Sequence, residues 1–253
     1  MDKAERCTYA VEPFQCDGSG CISMPSMGTV LLNAADVHST KRGYGMGLLD
    51  TLGRAWVISR LAVEMGEAPR EQAEIAVETW VESVSKLFTT RCFSISDTRT
   101  GKQYGYARGI WAMIDKHTRR PVDLVAGTGG VVTRFVDGER LCPIAPPSRV
   151  NVPKGAQPCG EYTAKYSDID MNGHVNSLKY VSHALDLWDS EWHSRHRVAR
   201  MDMAYSSECK CGDRLVFAAD DTAEGLRTLR ITRGGEDGCA AEACRCAFRY
   251  VDR

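Results

Sequence analysis

The same succession of local patterns runs twice along this chain, and that constrains the fold more than any single motif. Arg108-Gly109-Ile110-Trp111-Ala112-Met113-Ile114-Asp115 and Arg245-Cys246-Ala247-Phe248-Arg249-Tyr250-Val251-Asp252 set Arg, an aromatic, a β-rich pair and Asp at equal offsets. The match is short, but the patterns leading up to each copy agree with it. The first half reads as a strand over 7–14, a turn-rich stretch over 17–27 and a helix over 29–41. Strands then follow over 55–65, 73–85 with 87–96, and 104–115, with a hairpin turn at 97–102. The second half reads as a strand over 161–166, a polar cluster and a helix over 177–193. Its strands fall over 198–206, 213–220, 226–232 and 239–251, with a hairpin turn at 234–238. This is a tandem duplication of a strand–helix–meander unit. One helix lying across an antiparallel sheet, twice over, is an α+β arrangement. The 253 residues suit two domains of about 120 residues each. Pro143, Pro146, Pro147, Pro153 and Pro158 crowd between the halves. The expected division is therefore 1–140, a linker over 141–158, and 159–253.

Composition excludes several classes of function. A net charge of −1 and the lack of a basic stripe with interleaved aromatics argue against nucleic acid. No apolar run is long enough to span a bilayer, and the charged start Met1-Asp2-Lys3-Ala4-Glu5-Arg6 does not resemble a signal peptide. The cytoplasm is the expected location. Eleven cysteines invite a metal reading. However, Cys209/Cys211 and Cys244/Cys246 fit the period of a strand better than paired zinc-ligand spacings, and Cys239 adds no second pair. Reduced structural thiols are expected, with no metal and no cofactor. Gly127-Thr128-Gly129-Gly130 lacks the Lys and helix of a phosphate loop and reads as a plain loop.

The chemistry gathers in Asp168-Ile169-Asp170-Met171-Asn172-Gly173-His174-Val175-Asn176, which alternates polar and non-polar throughout. In an extended chain, Asp168, Asp170, Asn172, His174 and Asn176 line one side. They offer acid, amide and imidazole, the groups that move protons and orient a water. From Ser177 the period changes to about 3.6, with Leu178, Val181, Leu185, Trp188 and Trp192 on one face and Asn176 as N-cap. The positive end of that helix can hold a developing negative charge. Attack on a carbonyl is the implied reaction. The first half has no acid or histidine from Gly18 to Met27, so one site per chain is expected.

Asp170-Met171-Asn172-Gly173-His174-Val175-Asn176 with Tyr205-Ser206-Ser207-Glu208-Cys209 resembles the acyl-ACP (acyl carrier protein) thioesterases, built from two hot-dog domains. Trp56-Val57-Ile58-Ser59-Arg60-Leu61, Glu78-Thr79-Trp80 and Arg108 to Asp115 with Thr118-Arg119-Arg120-Pro121 are similar to the first domain of that family. The likeness covers most of the chain and is of the bacterial type. Ser177 stands where the family tends to carry a second Asn.

The resemblance implies hydrolysis of fatty acyl-ACP to free fatty acid and carrier thiol. Acyl carrier protein would be the partner, and the chain a monomer or homodimer. Asp170, Asn172, His174 and Glu208 are the implied catalytic residues. In this reading Glu208 comes from a neighbouring strand and activates water with His174. Asp170 orients the imidazole, Asn172 holds the water or the carbonyl, and the backbone N–H groups of Val175 and Asn176 bind the oxyanion. A Cys209 nucleophile and direct attack by Asp170 remain open, as do an acyl-CoA substrate and a non-catalytic acyl-binding module. Asp168 reads as a turn or supporting residue. His38, His117, His183, His193 and His196 read as solvated. Lys116/Arg119/Arg120 and Arg195/Arg197/Arg200 are short basic runs that fit ordinary solvated faces.

Overall fold

The computed structural model describes residues 2–221, 223–234 and 240–253. Most of the turn expected at 234–238, and Cys239, lie outside the described residues. The chain divides into two units, Met1–Pro147 and Ser148–Arg253.

In the first unit, strands β1 (Ala4–Ala10), β2 (Arg54–Met65), β3 (Glu74–Val84), β4 (Phe88–Asp97) and β5 (Gln103–Asp115) form an antiparallel sheet in the order β1-β3-β4-β5-β2. Helix α1 (Met24–Lys41) precedes β2, and two short helices, α2 (Met46–Thr51) and α3 (Leu124–Gly127), flank the sheet connections. α1 starts five residues ahead of its expected start, because Ser23 caps it by accepting from the Ser26 N–H and Pro25 sits in its first turn. Its buried stripe of Met27, Val30, Leu31 and Ala34 faces a sheet core that includes Leu61, Val63, Ile75, Val77, Phe93 and Ile95. His38 belongs to this interior and is fully buried, contrary to the solvated reading. It sits between the Lys3 carbonyl (3.0 Å) and the Tyr44 hydroxyl (2.9 Å), partners too distant in sequence to be visible there.

The opposite face of this sheet is covered by the unit's own tail. Trp80 donates through Nε1 to the Arg140 carbonyl (2.9 Å), the Arg140 guanidinium lies 4.1 Å over the Trp80 ring, and Arg108 pairs with Glu82. Cys142 and Ile144 join Ala62, Trp80 and Cys92 in a buried cluster. Residues 141–147 therefore pack as part of the first unit. From Ser148 onward the chain belongs to the second, where the Ser148 N–H donates to Asp202 Oδ1 (2.9 Å). Of the crowded prolines, Pro143, Pro146 and Pro147 lie on this strap of the first unit, and Pro153 and Pro158 in the second unit.

The second unit repeats the topology. Strands β6 (Gln157–Thr163), β7 (His196–Tyr205), β8 (Arg214–Asp220), β9 (Leu226–Gly234) and β10 (Ala241–Asp252) run β6-β8-β9-β10-β7, the first unit's order with five added to each number. Cys244 and Cys246 are buried on one face of β10, as strand spacing predicts. Cys209 and Cys211 instead lie in the loop between β7 and β8. The expected helix over 177–193 is two helices, α4 (Ser177–Leu185) and α5 (Ser190–Arg195). The first ends at Leu185 with Asp186 as its C-cap, and Asp189 restarts the helix, accepting from the Trp192 N–H (2.7 Å) as the N-cap of α5. The apolar period survives the break because Trp188 and Trp192 stack face to face at 4.2 Å.

Candidate active site

The 168–176 segment is a closed turn, not a strand. A short 3-10 helix, Tyr166–Asp168, leads into it, and an isolated antiparallel bridge pairs Ile169 with Val175. Inside that bridge the Asp170 N–H donates to the His174 carbonyl (2.8 Å) and the Gly173 N–H to the Asp170 carbonyl (3.0 Å). Gly173 takes φ +80°, a region open to glycine at no steric cost. The alternation therefore does not sort side chains by face. Met171 and Val175 share the apolar side of the alternation, yet Met171 is 87% exposed while Val175 is buried.

Each predicted residue finds a definite place. Asp170 Oδ1 accepts the N–H groups of Asn172 (2.8 Å) and His174 (3.4 Å). Asp170 thus builds the turn, and its carboxylate makes no hydrogen bond or ion pair with the His174 ring among the described residues. Asn172 is exposed, and its carboxamide makes no hydrogen bond among the described residues. Glu208 arrives from the loop after β7, not from a strand. The bond that brings it is the Val175 N–H to Cys209 carbonyl contact (2.8 Å), which lays the two segments side by side. Glu208 Oε2 then lies 3.3 Å from His174 Nε2, with side-chain exposures of 41% and 21% that leave the pair open to water.

The expected oxyanion donors are committed elsewhere, and the open Cys209 alternative loses support. The Val175 N–H is used on Cys209, and the Asn176 N–H on the Asp168 carbonyl (2.8 Å), so neither is free to bind an oxyanion. Cys209 is fully buried. Burial pushes its thiol up from the ordinary range, and the neighbouring Tyr180 hydroxyl offsets this only in part, the opposite of an activated nucleophile. Asn176 does cap α4, accepting the Leu178 N–H (2.9 Å).

Sequence reasoning missed a second cluster at the base of the turn. Asp168 is buried, and its Oδ2 accepts from the Tyr162 hydroxyl (2.9 Å) and the Lys165 N–H (2.8 Å). Its Oδ1 meets His183 Nε2 at 3.1 Å, and the His183 ring stacks on Tyr162 at 3.9 Å. Burial pushes the Asp168 carboxyl up, but the Lys165 N–H, Tyr162 and His183 outweigh it and hold the carboxyl below its ordinary range. His183 is consequently not solvated. Its place on the polar stripe of α4 hid a partner fifteen residues earlier in the chain. Of the remaining histidines, His117 is exposed as expected, whereas His193 donates through Nε2 to the Leu185 carbonyl (3.1 Å) and His196 through Nδ1 to that of Trp192 (3.0 Å).

The first unit contains the same turn without the chemistry. After a 3-10 helix, Pro13–Gln15, Cys16 pairs with Ile22. The Asp17 N–H donates to the Cys21 carbonyl (2.9 Å), the Gly20 N–H to the Asp17 carbonyl (3.0 Å), and Asp17 Oδ1 accepts the Ser19 N–H (2.8 Å). Gly20 takes φ +71°. The Ile22 N–H donates to the Pro69 carbonyl (2.9 Å), as that of Val175 does to Cys209. Asp17 therefore stands for Asp170, while Ser19 replaces Asn172, Cys21 replaces His174 and Ala68 replaces Glu208. The acid that builds the turn is kept where the imidazole and the second carboxylate are absent.

Comparison with known proteins agrees with this duplicated architecture. Residues 2–127 match the family model described as "Acyl-ACP thioesterase N-terminal domain", and residues 153–249 match "Acyl-ACP thioesterase C-terminal domain". A crystal structure of an acyl-ACP thioesterase from Bacteroides thetaiotaomicron is 39% identical, with 98% of each chain covered and a TM-score of 0.89. The 12:0-ACP thioesterase from Umbellularia californica shares the fold at 19% identity, covering 100% of this chain and 99% of its own, with a TM-score of 0.82. A chloroplastic acyl-[acyl-carrier-protein] hydrolase of Cuphea viscosissima is 28% identical over 90% of this chain. This chain spans 61% of that relative's length. With two hot-dog units and both family regions matched, this chain belongs to the acyl-ACP thioesterase family.

Proposed function

We propose that the protein hydrolyses the thioester joining a fatty acyl chain to acyl carrier protein, releasing the fatty acid and the carrier thiol. The observation that carries this reading is the His174–Glu208 contact of 3.3 Å on a turn open to solvent. Glu208 takes a proton from a bound water, whose oxygen attacks the thioester carbonyl carbon. With the Val175 and Asn176 N–H groups used by the fold, the Asn172 carboxamide is the donor that polarises the carbonyl oxygen. When the C–S bond breaks, His174 gives a proton to the departing sulfur and recovers one from Glu208 across their contact. Asp170 acts by shaping the turn that holds Asn172 and His174. No covalent intermediate is needed, which suits the buried Cys209.

Among the described residues, no helix is long and apolar enough to cross a membrane. Every described cysteine is free, which supports a reducing, cytoplasmic setting. Thiol release from a chain-length series of acyl-ACP, with matched acyl-CoA, tests the proposal. Turnover of acyl-ACP that falls by about 10²–10⁴-fold in Glu208→Gln and His174→Ala is the expected result. A strong preference for acyl-CoA would reassign the carrier, and no thiol release from either substrate would leave a non-catalytic binding protein.

A further inference from the structure

The two turns are so alike in backbone that their differences can be read as the requirements of the site. In both, the side chain of the last 3-10 residue accepts an N–H three residues back: Glu12 N–H to Gln15 Oε1 (2.9 Å), and Lys165 N–H to Asp168 Oδ2 (2.8 Å). In both, that residue's carbonyl accepts the N–H of the helix cap: Ser23 to Gln15 (2.9 Å) and Asn176 to Asp168 (2.8 Å). A neutral Gln meets these backbone demands in the first unit. The second unit uses a carboxylate that is 3% exposed and adds an imidazole to it. Tyr9, six residues ahead of Gln15 as Tyr162 is ahead of Asp168, turns its hydroxyl to Asn33 instead (2.9 Å). Val30 stands at the counterpart of His183.

Burying a carboxylate beside an imidazole costs free energy that a Gln and a Val avoid. The fold does not need that expense, since the first unit builds the same turn without it. The ion-bearing version accompanies His174 and Glu208. We infer that Asp168, His183 and Tyr162 are positioning residues for hydrolysis. They tie the second turn of α4 to the base of the catalytic turn and so keep the His174 ring within reach of Glu208. This rests on the hydrolase reading above. Asp168 contacts the turn's backbone at both ends, and His183 links it to α4, so a change at either loosens the ring that must hold a proton-transfer distance.

The test copies the first unit's solution into the second. Asp168→Gln keeps the bond to the Lys165 N–H, and His183→Val copies Val30. Each is expected to lower kcat for acyl-ACP between about 10- and 100-fold, with KM within about twofold and little change in thermal midpoint. The double variant should lose no more than the worse single, because the residues act as one unit. His183→Gln, which can still donate to Asp168, should recover most of the rate. In parallel, the His174 ring resonances are followed by NMR in wild type and Asp168→Gln and are expected to shift and broaden. A kcat within twofold of wild type, losses that multiply in the double variant, or a rate loss matched by a fall in folded fraction would each overturn the inference. If wild type releases no thiol, the hydrolase reading fails by itself, and unchanged His174 resonances then overturn the positioning claim separately.

Discussion

His38 couples the first unit's stability to pH, and the magnitude follows from its burial and its neighbours. Nε2 faces the Lys3 carbonyl at 3.0 Å and must donate to it, so Nδ1 accepts from the Tyr44 hydroxyl at 2.9 Å. The neutral ring is thereby fully satisfied. Burial, followed by the Arg91 guanidinium behind Tyr44 (3.3 Å from its hydroxyl), pushes the imidazole down to about 3; the Lys3 carbonyl and Glu5 oppose this, and Arg42 adds to it. The unfolded chain takes up this proton near 6.5, whereas the native state does so only near 3. Between those values the unfolded state binds more protons, so stability falls as pH drops from 6.5 toward 3. At about 1.4 kcal/mol per unit, the whole shift amounts to about 5 kcal/mol, of which about 2 kcal/mol is lost by pH 5. The thermal midpoint of the first unit should then drop by roughly 4–8 °C between pH 8 and pH 5. His38→Gln, which does not titrate, should remove that part of the slope at the cost of a lower starting midpoint. Differential scanning calorimetry of both proteins across this range measures it, and NMR titration of the His38 ring reads the group directly. A variant whose midpoint falls with pH as steeply as wild type, or a His38 ring that titrates near 6.5 in the folded protein, would refute the argument.

The other predictions concern the catalytic turn. Cys209→Ala should keep turnover within about threefold while costing about 1 kcal/mol of stability for the lost buried side chain; a loss of a hundredfold or more would revive a thiol nucleophile. Gly173→Ala meets no atom within 4 Å of the new Cβ, so its cost is the φ +80° conformation alone, about 1–2 kcal/mol, read as a lower thermal midpoint. Gly173→Asn should cost less than Ala, since Asn tolerates this region better. In the first unit, Trp80→Ala opens a cavity under the strap and removes the bond to Arg140. A loss of about 3–5 kcal/mol in denaturant unfolding is expected, and a loss under 1 kcal/mol would mean that the strap is not held there.

Strand pairing was legible because side-chain period and turn chemistry are local. Residues 104–115 and 226–232 read as strands next to turn-forming residues, and β5 and β9 occupy those stretches. The Asp97-to-Lys102 turn likewise declares itself through Asp and Gly, with Asp97 Oδ1 accepting from Arg99 and Thr100. The same locality misled at 168–176. A turn closed by an Asp and a left-handed glycine can alternate polar and apolar residues as a strand does, and period alone does not separate them. Asp170 and Gly173, three apart, were the available sign of a turn. Asp189-Ser190 similarly carried the N-cap signal that splits the helix after Leu185.

Residue types and their spacing along the chain determined the repeated unit, the helix caps and the presence of acid, amide and imidazole within five residues. Only the tertiary structure decided which of them meet. Glu208 reaches His174 because one backbone bond, Val175 to Cys209, sets the register of two segments more than thirty residues apart. The same kind of distant contact used up the N–H groups expected to face a substrate, buried His38 and Cys209, and gave the half-buried His183 its carboxylate partner. Local pattern records the chain's own conformation, whereas burial and proton affinity depend on neighbours that folding brings from elsewhere in the sequence.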